Sequence, residues 1–157
     1  MRRADREVKN FDEIIKILDE CQSIHIAFSL NDEPYSVPMN FGYEVINEKL
    51  FIYLHGAKEG KKHDILAQNP KVSFSGVALC EIYEAPEAAR WSTFYKSIIG
   101  QGQISVVQGE EEIIKGLDAL MKHVGYKGAS NYPPQVLEKV RVLKIEVSSI
   151  TGKQHLK

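Results

Sequence analysis

The residues best suited to chemistry stand together in His55-Gly56-Ala57-Lys58-Glu59-Gly60-Lys61-Lys62-His63-Asp64. They separate a strand-like run, Lys49-Leu50-Phe51-Ile52-Tyr53-Leu54, from a short amphipathic stretch, Asp64-Ile65-Leu66-Ala67-Gln68. The first turn of a helix exposes unpaired N–H groups and partial positive charge, so acids suit it and lysines do not. A bound anion, most simply a phosphate, reverses that preference. Lys58, Lys61 and Lys62 would supply charge, and backbone N–H groups near Gly56 and Gly60 would supply hydrogen bonds. Neither the Walker A spacing nor a βαβ unit around a glycine-rich fingerprint is present. A solvated, lysine-rich helix start is the competing explanation. Elsewhere the chain follows the usual rule, since Glu110, Glu111 and Glu112 open the next helical pattern.

A second block, Pro38-Met39-Asn40-Phe41-Gly42-Tyr43, could form a wall for a flat aromatic ligand. Strand backbone can hydrogen-bond a ring edge, Asn40 adds a donor and an acceptor, and Gly42 would let a ring approach closely. Ordinary barrel packing explains the same residues. A third block, Trp91 through Gly102, combines aromatics with Lys96, Ser97 and Gln101 and could complete a pocket or an interface. His25, His55, His63, His123 and His155 show no metal-binding spacing, so no metal site is expected. His55 stands at the mouth of the lysine turn.

These residues need a framework, and 157 residues suffice for one domain, 1–157, with a real core. A net charge of −1 argues against broad nucleic-acid binding and makes the lysine cluster a local feature. Two cysteines are too few for a disulfide framework, and no window reaches the ~20 apolar residues of a membrane helix. The expected location is the cytoplasm.

Periodicity predicts a helix over 11–21, with Phe11, Ile14, Ile15 and Leu18 on one face and Asn10 and Glu13 at capping spacing. Alternation predicts strands over 23–30, 35–45, 49–55, 71–83, 91–107 and 140–150. Asn31-Asp32-Glu33-Pro34 and Asn47-Glu48 are turn signals. Pro38 and Gly42 mark 35–45 as an edge strand or a strand beside a ligand. Gly100-Gln101-Gly102 shifts the alternation and predicts a bulge. Short helical segments are expected at 64–68 and 135–139, and a longer one at 110–124. The result is a mainly β fold with peripheral helices, a six-stranded antiparallel barrel.

In order, the blocks at Pro38–Tyr43, Tyr53–Lys62, Asn69–Phe74, Tyr95–Gly102 and Ile150–Lys153 resemble the pyridoxamine 5'-phosphate oxidase-like FMN-binding split barrels, and within them the nitroimidazole-resistance branch. The resemblance implies a homodimer with FMN at the subunit interface. The phosphate would be held by Gly56, Ala57, Lys58, Gly60, Lys61 and Lys62, and the ring would lie along Pro38, Met39, Asn40 and Phe41. The second subunit would contribute from Trp91, Ser97 and Gln101. His55 would lie near the flavin and donate a proton during reduction of a small (nitro)aromatic substrate. Two further readings stay open: a non-catalytic flavin- or haem-binding module, and a pyridoxamine-phosphate-oxidase-like activity.

Overall fold

The computed structural model describes residues 3–157. Helix α1 (Phe11–Glu20) starts where Asn10 accepts a 3.0 Å hydrogen bond from the Glu13 backbone N–H. Its buried stripe is Ile14, Ile17 and Leu18, while Phe11 and Ile15 sit at the rim.

Eight strands form one antiparallel sheet: β1 (Glu7–Val8), β2 (Ile24–Leu30), β3 (Glu33–Met39), β4 (Phe41–Ile46), β5 (Lys49–Gly56), β6 (Lys71–Tyr83), β7 (Ser92–Val106) and β8 (Arg141–His155). Their order is β3-β2-β6-β7-β8-β5-β4, with β1 added along β8. Three hairpins build most of this order. In two of them the turn residues, Asn31-Asp32 and Asn47-Glu48, have positive φ, as tight hairpin turns require.

The six-strand expectation is therefore corrected to eight, in an open sheet consistent with a split barrel. The run 35–45 is two strands. It breaks at Asn40, after which the chain leaves β2 and pairs with β5. Alternation alone cannot reveal this break, because the side-chain period is the same in both halves. The short strand β1 pairs Glu7 and Val8 with Lys153 and Gly152, so β8 continues five residues beyond Ile150. The expected irregularity near Gly100-Gln101-Gly102 falls between Gln101 and Gly102, where β7 shifts register against β8.

The strands β3 and β4 are both ends of the sheet and neighbours in the chain. The barrel is thus joined covalently at Asn40 but not hydrogen-bonded across that seam. Phe28, Phe41, Phe74, Ile52, Leu54 and Ile145 fill the interior. The strand β5 is buried on both faces: Ile52 and Leu54 point inward, and Tyr53 packs outward against Leu117 and Leu120 of α3 (Glu110–His123). Two short helices complete the chain, α2 (Lys61–Leu66) and α4 (Pro134–Leu137). No helix among the described residues is long and apolar enough to cross a membrane.

Candidate functional site

The lysine turn occupies the passage from β5 to α2. His55 and Gly56 still pair with Val142 and Arg141 of β8, and the chain leaves the sheet at Ala57. The helix begins at Lys61, three residues earlier than the expected 64, so Lys61 and Lys62 are its first two residues. Gly60 precedes them with φ of 125°, a conformation that L side chains rarely adopt.

His63 fastens this turn. Its backbone N–H donates to the Gly60 carbonyl at 2.8 Å, and its Nε2 lies 2.8 Å from the Ala57 carbonyl. The residue is only 8% exposed, and Nδ1 has no partner among the described residues. Desolvation lowers the His63 pKa from its ordinary value, so the ring is neutral at pH 7 and the Nε2 proton serves the Ala57 carbonyl. The sequence reading missed this role. Its one sequence signal is the three-residue spacing from Gly60.

Lys62 folds back over the strand end. A Cβ placed on Gly56 would lie 3.3 Å from Lys62 Nζ, so the missing side chain leaves room for that ammonium group. Lys61 reaches β3, with Nζ 5.0 Å from the centre of the Tyr35 ring. Lys58 projects into solvent. His55 is lowered in pKa by desolvation and is therefore also neutral at pH 7.

The pairing of Phe41 with Leu54 sets Asn40 level with His55, which brings the proposed ring wall beside the turn. Pro38 and Asn40 are exposed and Met39 is half-buried. Phe41 is completely buried, and its ring centre lies 4.2 Å from that of His123, so only its backbone is available to a ligand. Gly42 does not admit a ligand ring. Its open side faces α3, where an added Cβ would meet the Ala119 carbonyl carbon at 2.2 Å.

Trp91, Ser97 and Gln101 are not brought to this turn within one chain. The strand β7 is the central strand of the order, with two strands between it and each of β3 and β4. Trp91 lies just before β7, 51% exposed, and donates from Nε1 to the Ala85 carbonyl at 2.7 Å. Ser97 stands opposite Val77 and Lys153. Gln101 lines a groove of about 530 Å³ with Ser73, Gln103 and Ser148. Around these positions the β6–β7 hairpin exposes Val77, Ile82, Tyr83, Trp91 and Ile99, of which Ile82 is 68% accessible.

No group of three or more His, Cys, Asp or Glu among the described residues could hold a metal ion. For a phosphorylated aromatic cofactor, the residues fit. The turn carries three lysines, with Lys62 Nζ seated over Gly56 and open space at Gly60, and the seam beside it carries strand edges without sheet partners.

Comparison with known proteins agrees with this fold. A sequence profile of the pyridoxamine 5'-phosphate oxidase family matches residues 10–154. A crystal structure of a candidate 5-nitroimidazole antibiotic resistance protein from Bacteroides thetaiotaomicron is 27% identical. It aligns over 94% of this chain and 85% of that one, with a TM-score of 0.81. The flavocytochrome Anf3 from Azotobacter vinelandii, at 16% identity, aligns over 100% of this chain and 72% of that one, with a TM-score of 0.83. An FAD- and haem-binding protein from Mycobacterium smegmatis, also 16% identical, aligns over 97% and 74%, with a TM-score of 0.81. These last two likenesses are of fold alone. A comparison with the curated proteins finds no match.

Proposed function

From the premise that the chain belongs to the flavin-binding pyridoxamine 5'-phosphate oxidase family, we propose that it is a single-domain, cytoplasmic, homodimeric FMN-binding oxidoreductase that reduces a small nitroaromatic or related substrate. The observation that carries this reading is the lysine turn beside the open seam. Lys62 Nζ lies over Gly56 at the end of β5, Lys61 reaches the Tyr35 ring of β3, and Lys58 stands exposed on the same turn. A phosphate offsets their charge through charge-assisted hydrogen bonds. The free edges of β3 and β4 offer carbonyl and N–H groups to the rim of a flat ring, with Pro38 tolerated because an edge strand can spare one donor.

A bound flavin supplies electron transfer between a reductant and the substrate. The protein contributes binding, orientation and electrostatics. Lys58, Lys61 and Lys62 hold the phosphate, and Gly56, Ala57 and Gly60 leave backbone exposed for it. Pro38, Met39, Asn40 and the Phe41 backbone border the ring. The apolar face of the β6–β7 hairpin, with Val77, Ile82 and Ile99 exposed, supports a second copy packed there. That packing would carry Trp91, Ser97 and Gln101 to the neighbouring turn. His55, neutral at pH 7, offers one ring N–H as a hydrogen-bond donor to the substrate and must first take up a proton from solvent to act as an acid. The 27% identical neighbour named for 5-nitroimidazole resistance supports the substrate class.

The test is direct. The purified protein should be yellow and release FMN, not FAD, on denaturation. Replacing Lys58, Lys61 and Lys62 together with alanine should abolish flavin retention while leaving the circular dichroism spectrum unchanged. A colourless protein whose melting temperature FMN does not raise would refute the reading. A haem spectrum would point instead to the haem-binding module.

A further inference from the structure

A second set of polar groups lies where α1, α3 and β4 meet, away from the lysine turn. His123, at the end of α3, has a side chain only 4% exposed. Its Nε2 lies 2.8 Å from the Cys21 carbonyl, which only a ring N–H can satisfy. In the neutral ring that bond leaves Nδ1 as a bare lone pair. Nδ1 has no hydrogen-bond partner among the described residues, and it faces Asp19 Oδ1 at 3.7 Å. With the ring neutral, two acceptors confront each other across this contact.

The rest of the cluster reinforces the imbalance. The Tyr43 hydroxyl donates to the same Asp19 oxygen at 2.9 Å. Burial and the Asp19 carboxylate push the Tyr43 pKa up to about 12, so this group stays a donor. Glu20 and Glu44 are neutralised by Lys96 at 2.8 Å and Lys115 at 2.9 Å. No lysine or arginine among the described residues pairs with Asp19. Asp19 and His123 line two adjoining clefts of about 490 and 350 Å³; Glu44 and Lys122 also line the larger, and the smaller reaches Asn40.

We propose that these clefts form one binding site for a small organic cation with an N–H-bearing head, a primary ammonium, held between the Asp19 carboxylate and the His123 Nδ1 lone pair. An ammonium head brings donors for both acceptors and a charge for the carboxylate. An anion finds only repulsion at Asp19, and a divalent metal finds too few oxygen ligands. The Asp19 side chain is 64% exposed, so the carboxylate is reachable from solvent beside the buried His123 ring. None of the three lysines of the turn takes part, and the two sites meet only at Asn40, which the smaller cleft reaches.

The experiment is a titration of the full-length protein, labelled with ¹⁵N in its imidazole rings, at about pH 8, where an ordinary histidine is neutral. The probe is butane-1,4-diammonium, and the His123 Nδ1 resonance is identified with His123→Gln. The expected result is a saturable movement of that resonance with a dissociation constant of about 1 mM or lower. Asp19→Asn should weaken it at least about tenfold, equivalent to ~1.4 kcal/mol. Butane-1,4-diol, which lacks the charge, and tetramethylammonium, which lacks the N–H donors, should leave the resonance in place. An unmoved resonance with the diammonium overturns the proposal. So does equal binding by Asp19→Asn, or an equal response to either control compound, and these controls on the unsubstituted protein need no variant to fold.

Discussion

Adding one methyl group at Gly42 tests how α3 is seated. An alanine Cβ there would lie 2.2 Å from the Ala119 carbonyl carbon, 2.3 Å from the Leu120 nitrogen and 2.4 Å from the Ala119 oxygen. Ordinary carbon contacts are about 3.5 Å or longer, so the β4 and α3 backbones must separate by roughly 1 Å. All three neighbours are main-chain atoms, and no rotamer change can relieve the overlap. The helix is pinned by Leu117 and Leu120 against Tyr53 and Val142, so moving it opens that cluster. Overpacking of a rigid site costs about 3 kcal/mol, near the top of the usual range. At roughly 2–4 °C per kcal/mol for a chain of this size, Gly42→Ala should melt about 6–12 °C below the parent protein. Thermal and urea unfolding, followed by circular dichroism, measure it. Gly56→Ala is the internal control, since its nearest atoms are the mobile Nζ and Cε of Lys62. A Gly42→Ala protein within about 0.5 kcal/mol of the parent would refute the packing of α3 on β4.

The same control carries a functional expectation. Gly56→Ala should displace the Lys62 ammonium group and weaken FMN binding several-fold while leaving riboflavin binding unchanged, as fluorescence titration of the two flavins would reveal. His55→Ala should retain FMN but lose turnover with nitroaromatic acceptors, and an undiminished rate would remove His55 from the reaction. Stability should respond to acid through His63. Its folded pKa lies below its unfolded value, so its contribution is full above about pH 6.5 and is lost as pH falls toward the folded value. His63→Gln should flatten that part of the curve in urea unfolding at a series of pH values, and an unchanged slope would show that another group is responsible.

Much of this arrangement was legible in the residues. Strand positions followed from alternation, the Asn10 cap from its spacing to Glu13, and the bulge from Gly100-Gln101-Gly102. The lysine turn was found because its charge opposed a local rule that Glu110, Glu111 and Glu112 obey. What stayed hidden depends on distant partners. Phe41 and Tyr43 continue the alternation of Tyr35, Val37 and Met39, so nothing local reveals that the chain changes sheet neighbours at Asn40. Gly42 reads as equally suited to a ligand or a helix, and only the placement of α3 decides for the helix. The pairing of His123 with Cys21 and Asp19 joins residues about a hundred positions apart, beyond any spacing rule.

The break at Asn40 also explains why the candidate site lies where it does. A sheet that closed completely would pair every backbone group of β3 and β4 and leave no edge for a ligand. A sheet that stayed flat would hold those two strands at opposite ends, far from a common ligand. Here one residue joins the two ends, so the unpaired edges stay adjacent, and the β4–β5 pairing brings the lysine turn to the same end of the barrel. Pro38 fits the same logic, because on an edge its missing N–H breaks no ladder bond that a second neighbouring strand would need. The turn lysines and the seam are therefore consequences of a single topological choice. Restoring β3-to-β4 pairing by inserting residues at Asn40 should abolish flavin binding even with all three lysines intact.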